Sequence, residues 1–182
     1  VQNDGTQLRV LYSEPEKDPI KGTMVLIPGY ISLVSAWEEL LEHMRKDYRL
    51  YVIETREKHT AVLAKNAKMD IDTVANDLKR VIEYLMLDDY FIVASSMGAA
   101  FTLYSVSKGL INPKMIFLVG PLLALPLPKI GWPFVYIANN FLWKLFIKPL
   151  TKLVVRLVYL NPDQKEQIRK YFSYLDNLKV PR

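Results

Sequence analysis

The chain has 182 residues, 51% hydrophobic and 24% charged, which is enough for one domain with a sizeable core and outside the composition of a disordered polypeptide. It contains no cysteine and only two histidines, His43 and His59, so disulfide frameworks and thiolate metal sites are excluded and little remains for a histidine-based metal centre; no metal or cofactor is expected. The net charge of +5 hides a split, because no Asp or Glu lies between Tyr90 and Pro162 while Lys108, Lys114, Lys129, Lys144, Lys148, Lys152 and Arg156 all do, leaving the rest of the chain net negative.

In chain order, Val1 to Leu11 is polar and mixed, without the basic-then-apolar layout of a secretory leader. The expectation is a cytoplasmic protein, or one whose leader has been removed. Asn3-Asp4-Gly5 is turn-like, and Leu8 to Tyr12 reads as a first strand. Thr23 to Ile27 is an apolar strand ended by Pro28-Gly29. Trp37, Leu40, Leu41 and Met44 recur at helical spacing and predict a helix from about Ser35 to Lys46. Arg49 to Glu54 reads as a strand. Asp70 stands where an N-cap belongs, before an amphipathic series of Ile71, Val74, Ala75, Leu78, Val81, Ile82 and Leu85. A strand from Tyr90 to Val93, a helix-like segment from Ala99 to Ser107 and a strand from Met115 to Val119 follow. Alternating strands and helices imply crossover connections. The predicted class is therefore α/β, with a mainly parallel sheet covered by helices on both faces and a site at the carboxyl ends of its strands.

Between the strand at Tyr90–Val93 and the helix behind it lies Ala94-Ser95-Ser96-Met97-Gly98, a small-x-Ser-x-small sequence. A serine on so tight a strand-to-helix turn projects its hydroxyl at the end of a sheet, above the N-terminus of the next helix. The neighbours two before and two after must be small because the backbone folds sharply there. Ser96 is the candidate nucleophile. The developing oxyanion needs two backbone N–H donors. One is Met97, just after the serine; the other comes from the loop after Ile27, at Tyr30, since Gly29 lets the backbone turn inward. Gly29, Ser95 and His59 are candidate substrate contacts.

Beyond Pro121 the character changes. Met115 to Trp143 holds one charge, Lys129, in 29 residues, but four prolines interrupt it and its longest uncharged pieces are 14 residues, short of the roughly 20 a membrane span needs. From Trp143 onward cations recur every four residues, at Lys144, Lys148, Lys152 and Arg156, with apolar residues around them and a helix-breaking Pro149. The expectation is a helical cap over residues 122–182 on a core of residues 1–121. Its apolar side would meet an acyl chain or lipid, and its cations an anionic membrane surface. Nucleic acid is disfavoured, because the cations are spaced through apolar sequence and not clustered with polar readers.

A serine needs a histidine to take its proton and a carboxylate to orient that histidine. No histidine follows Ser96, and the first acid after it is Asp163. His43 lies off the apolar stripe of its helix, and His59 sits in the loop after the Arg49–Glu54 strand.

Taken together, these motifs resemble the α/β-hydrolase superfamily, in particular its lipase, esterase and monoacylglycerol-lipase-like branch. Asp4-Gly5-Thr6-Gln7-Leu8 is similar to the family's opening strand, and Leu26-Ile27-Pro28-Gly29-Tyr30 to its His-Gly-x oxyanion loop. Ser35-Ala36-Trp37 resembles the start of the helix after that loop. Glu54-Thr55-Arg56-Glu57-Lys58-His59-Thr60 stands where the family has Asp-x-Arg-Gly-His-Gly-x-Ser. Ala94-Ser95-Ser96-Met97-Gly98-Ala99 resembles Gly-His-Ser-Met-Gly-Gly, and Phe117-Leu118-Val119-Gly120-Pro121 the strand after it. The departures are Pro28 and Ser95 for two histidines, Ala94 and Ala99 for glycines, and Glu57-Lys58 for a glycine turn.

The resemblance implies the first two thirds of such a hydrolase: core strands, oxyanion loop, nucleophile and a cap. Arg182 falls where the strand carrying the catalytic acid is expected. Three explanations stand: the acid and histidine come from a complementary segment or chain, they have been lost, or a nonstandard base such as His59 serves. The implied activity is hydrolysis of a carboxylic ester with a hydrophobic or lipid-like acyl group. The alternative is a noncatalytic scaffold or membrane-surface binding protein. A sheet ending at Met115–Val119 is also expected to expose an unpaired edge.

Overall fold

The computed structural model describes residues 1–121 apart from 19 and 31, and beyond them residues 145, 148–150, 152–153, 169 and 172–173. The chain divides into two compact units, Val1–Leu123 and Ala124–Arg182. Most of the expected cap lies outside the described residues, Lys144 and Arg156 of its basic stripe among them. Lys148–Leu150 and Lys152–Leu153 are helical. Among the described residues, no helix is long and apolar enough to cross a membrane.

The first unit runs β1 (Gln2–Asn3), β2 (Thr6–Gln7), β3 (Val10–Ser13), β4 (Gly22–Ile27), α1 (Glu38–Met44), β5 (Tyr48–Ile53), α2 (Ile71–Tyr84), β6 (Phe91–Ser95), α3 (Ser96–Ser107) and β7 (Met115–Val119). The turn-like Asp4-Gly5 closes the β1–β2 hairpin with positive φ at both residues, 49° and 83°, as a tight hairpin turn requires. The first long strand is β3, shifted two residues from its expected start, because Leu8 is held outside the ladder by a backbone bond from its N–H to the Val1 carbonyl (2.7 Å). The helix expected from Ser35 opens as a 3₁₀ turn, Val34–Trp37, and becomes α-helical only at Glu38; Leu33 and Trp37 offer no side-chain cap. α2 begins as expected, with the Asp70 carboxylate accepting the Thr73 N–H at 2.8 Å.

The strands form one five-stranded sheet in the order β3-β5-β4-β6-β7, with β3 antiparallel and the rest parallel. β4 is therefore central, and its side chains alternate between two cores. Met24 and Leu26 join Leu50, Val52 and Val93 beneath Trp37, Leu40, Leu41 and Met44 of the α1 region. Val25 and Ile27 join Ile53, Ile92 and Ala94 beneath Leu78, Val81 and Ile82 of α2 and Ala99 of α3. Burial on both faces explains why β4 reads as an unbroken apolar run instead of an alternating one.

A buried ion pair lies inside this packing. The Arg56 side chain is fully buried after β5 and forms a bidentate pair with Asp77 of α2, itself fully buried, through two 2.6 Å bonds. Its remaining nitrogen reaches Asp4 in the hairpin turn (3.1 Å) and the Lys68 carbonyl (2.7 Å). Burial works against the guanidinium charge, but the Asp77 and Asp4 carboxylates outweigh it and hold Arg56 above its ordinary value. One side chain thus ties the β5 loop to α2 and to the N-terminal hairpin.

Arg56→Met is expected to cost about 3–5 kcal/mol, because it removes the bidentate cation from the buried Asp77 carboxylate, and replacing Asp77 by Leu in the same chain should recover a large part of that loss. Urea midpoints of the two variants check this. At the other edge, β7 has one neighbour among the described residues, and Met115, Phe117 and Val119 are 54%, 49% and 50% exposed along one of its faces. Produced alone, the 182-residue chain is expected to self-associate through that apolar edge. Sedimentation at several concentrations reads this out, and a monodisperse, cooperatively melting monomer would count against it.

Candidate active site

The connection after β4 leads through α1 to β5 on one side, whereas the connection after β6 leads through α3 to β7 on the other. Between β4 and β6 the chain direction therefore switches, and a crevice opens at their carboxyl ends, where open α/β sheets bind ligands. The register pairs Ile27 with Ala94, so Pro28-Gly29-Tyr30 and Ser95-Ser96-Met97 leave the sheet side by side. β5 pairs with β4 on its other side through Leu26 and Val52, which brings the loop from Glu54 to Thr60 to the same edge.

Ser96 has φ +48°, in the left-handed region that a serine occupies at a cost of about 1–2 kcal/mol. It begins α3 directly, three residues earlier than the helix expected from Ala99. The strain persists because backbone fits against backbone on either side of it. A Cβ at Gly98 would lie 2.4 Å from the Ile27 carbonyl oxygen and 2.6 Å from that of Pro28. A Cβ at Gly29 would lie 2.9 Å from the Ser96 Cβ. Glycine is the one residue these two approaches allow, so α3 presses on β4 and the loop after β4 presses on the serine.

Ser95 is the N-cap residue of α3, yet its side chain makes no capping bond. Its buried hydroxyl instead accepts the Gly29 N–H at 2.9 Å. Two consequences follow. The first-turn amides of α3, Met97 among them, are not taken by their own cap and keep the donor capacity of a helix N-terminus. The loop after β4 is pinned to Ser95, the neighbour of Ser96. Ser95, expected to touch substrate, is thus committed to the loop.

Lys58 reaches the same loop from the β5 side. Its side chain is 3% exposed, and its Nζ donates to the Gly29 carbonyl and, at 2.8 Å, to the Tyr30 carbonyl. Glu57 lies beside it at 3.4 Å and accepts the Thr55 hydroxyl at 2.6 Å. Burial draws the Lys58 ammonium below its ordinary value, against the opposing influence of Glu57 and Glu54. Burial and then the Glu57 charge push the half-buried Tyr30 phenol upward. In the same loop the Thr60 hydroxyl donates to Glu54 (2.5 Å), which also pairs with Arg9 (3.1 Å).

Of the residues singled out in the sequence, Ser96, Met97, Gly29, Tyr30 and Ser95 converge on this crevice. His59 lies exposed in the β5 loop, and His43 is exposed on α1. Lys58 was not anticipated; the substitution of Glu57-Lys58 for a glycine turn was the one signal that pointed to it. Gly98→Ala should separate α3 from β4 and cost about 1–3 kcal/mol, as overpacking typically does. A lowered urea midpoint and loss of the Ser96 backbone geometry in a crystal structure are the expected results.

No family model matches the sequence. A stretch of 98 residues, 54% of this chain, is 26% identical to N-formylmaleamate deformylase of Pseudomonas putida, of which it covers 37%. Among solved structures, N-formylmaleamic acid deformylase from Pseudomonas putida S16 superimposes with a TM-score of 0.69 at 17% identity, over 97% of this chain and 66% of that one. MenH from S. aureus superimposes with a TM-score of 0.74 at 14% identity, over 93% of this chain and 67% of its own. An epoxide hydrolase, CorEH, gives 0.70 at 14% identity, over 94% and 65%. The chain thus spans about two thirds of the length of these structures, and the matching stretch about a third of the curated relative. With its sheet order, its strained serine turn and these superpositions, the chain has the α/β-hydrolase fold.

Proposed function

We propose that the chain is the nucleophile-bearing part of a serine hydrolase that cleaves carboxylic esters with hydrophobic or lipid-like acyl groups. One observation carries the reading. Ser96 stands at φ +48° at the carboxyl end of β6, with the Gly29 backbone packed against it and the uncapped first turn of α3 behind it. In this reading the Ser96 Oγ attacks the ester carbonyl carbon. The Met97 and Tyr30 N–H groups hold the oxyanion as it forms, and collapse of the tetrahedral species expels the alkoxide, which takes up a proton as the alcohol leaves. Water then releases the acid from Ser96.

The proton-transfer partner and its orienting carboxylate are supplied, we propose, by polypeptide outside these 182 residues, since no histidine follows Ser96 and the first acid after it is Asp163. Lys58 is unsuited to that task. Its Nζ is turned onto the Gly29 and Tyr30 carbonyls and faces Glu57, so it is already engaged by the loop. The apolar, acid-free stretch from Tyr90 to Pro162 supports a hydrophobic acyl group, and its seven cations support contact with an anionic membrane surface. Named structural neighbours include carboxylesterases and an N-acyl homoserine lactone degrading enzyme, which is compatible with attack on an ester-like carbonyl.

In the complete polypeptide, a fluorophosphonate probe should label Ser96, and Ser96→Ala should abolish both labelling and hydrolysis of p-nitrophenyl butyrate. A folded, complete protein that resists the probe would sink the catalytic reading. Binding to anionic vesicles that weakens with salt would then favour a membrane-surface scaffold.

A further inference from the structure

We propose that Lys58 is a positioning residue for the oxyanion loop: by clamping the Gly29 and Tyr30 carbonyls it turns the Tyr30 N–H toward the oxygen of the carbonyl whose carbon Ser96 attacks. The proposal rests on the serine-hydrolase reading of Ser96 and adds to it a residue that touches no substrate.

The geometry follows from the peptide group itself. In a trans peptide the carbonyl of one residue and the N–H of the next point in opposite directions. The Gly29 carbonyl is directed at the Lys58 ammonium, so the Tyr30 N–H is directed away from it. The preceding peptide is fixed as well, because the Gly29 N–H donates to the Ser95 hydroxyl at 2.9 Å. Two successive peptides are therefore anchored from opposite sides, one by the residue before the nucleophile and the other by the loop after β5 together with the Ser32 N–H, which donates to the Gly29 carbonyl at 3.0 Å. Without such anchors a glycine-centred loop would rotate readily, since Gly29 has no side chain to restrict it.

Lys58 suits this task for three reasons. Its ammonium has three donors, two of which satisfy adjacent carbonyls while the third side faces Glu57 at 3.4 Å. It is buried, so water does not compete for those carbonyls. Its charge also draws electron density from the Gly29 carbonyl, which makes the N–H on the same peptide a better donor. The neighbouring Glu57 carboxylate opposes the burial that draws the Lys58 ammonium below its ordinary value. The pair thus occupies the position of a glycine turn and replaces its conformational freedom with a polar clamp.

The test uses the complete polypeptide with two variants, Lys58→Met and the double variant Glu57→Gln/Lys58→Met. The second leaves no buried charge unpaired and so guards against simple unfolding. Each is assayed with p-nitrophenyl butyrate and a fluorophosphonate, and each is crystallised. Loss of one oxyanion donor outright costs about 10²–10³ in rate. A residue that acts through that donor should lower kcat by roughly 10- to 100-fold with KM held within about twofold. The Gly29–Tyr30 peptide should also be rotated from its wild-type orientation. A purely structural role would instead raise KM and lower the melting temperature without a selective fall in kcat. A kcat within about twofold of wild type, or an unrotated peptide in the double variant, overturns the proposal. Wild-type protein that neither hydrolyses the ester nor labels at Ser96 overturns the hydrolase reading instead, and the peptide orientation then decides the role of Lys58 by itself.

Discussion

The space at Gly98, between the first turn of α3 and the carbonyls of Ile27 and Pro28, has no room for even one methyl group. This closeness governs the rest of the molecule's working edge. It requires α3 to begin at Ser96 without an intervening loop, and so forces the serine into the left-handed region. It also brings the strand ends of β4 and β6 so near one another that Gly29 meets the serine Cβ. Strain of about 1–2 kcal/mol at one residue is sustained because the parallel sheet beneath it is buried on both faces. Each apolar side chain fully removed from water there contributes about 1.5–3 kcal/mol. The rigid core comes first, and the reactive geometry is imposed by it.

The loop after β5 shows the same logic with charges in place of methyl groups. Arg56 and Lys58 are two residues apart, both are sealed from solvent, and they are anchored to different parts of the fold. Arg56 holds the loop to α2 and the N-terminal hairpin through two carboxylates. Lys58 holds the loop after β4 to the same segment through two carbonyls. Buried ions of this kind add little net stability over apolar replacements, but their directional bonds specify one arrangement where a greasy contact would tolerate several. Here the arrangement specified is that of a loop around a glycine, which has no steric preference of its own to contribute.

Much of this was legible in the sequence, and the limits of legibility have physical causes. Elements defined by local pattern were found closely: the β4 run, the Asp70 cap and the Ser96 turn all depend on residues within a few positions of one another. The resemblance to α/β hydrolases anticipated Arg56 within its motif but not its partner. Asp77 lies within the apolar series Val74, Ala75, Leu78 and Val81 of α2, and an acid on a buried helix face is a signal that periodicity alone passes over. Lys58 was least legible. A lysine in a polar loop reads as solvated, and its burial depends on two peptide carbonyls that lie 28 and 29 residues earlier in the chain. The bond from the Gly29 N–H to the Ser95 hydroxyl was hidden for a similar reason, since the two residues are 66 apart.

The sheet order also constrains where further chemistry can enter. β4, β5, β6 and β7 are parallel, so their carboxyl ends share one edge, and the chain proceeds outward from β6 to β7. Any parallel strand added beyond β7 would end on the edge where Ser96 stands, and would cover the half-exposed Met115, Phe117 and Val119 on its way. Loops leaving such strands would approach the serine from the side opposite the Gly29–Tyr30 loop. That opposition is what acyl transfer demands: the oxyanion donors and the proton acceptor must flank the nucleophile without competing for the same space. The side of the crevice toward β5 is already filled by the Glu57–Lys58 pair and the peptides it holds. A base delivered from beyond β7 would therefore meet Ser96 without displacing the Gly29–Tyr30 loop.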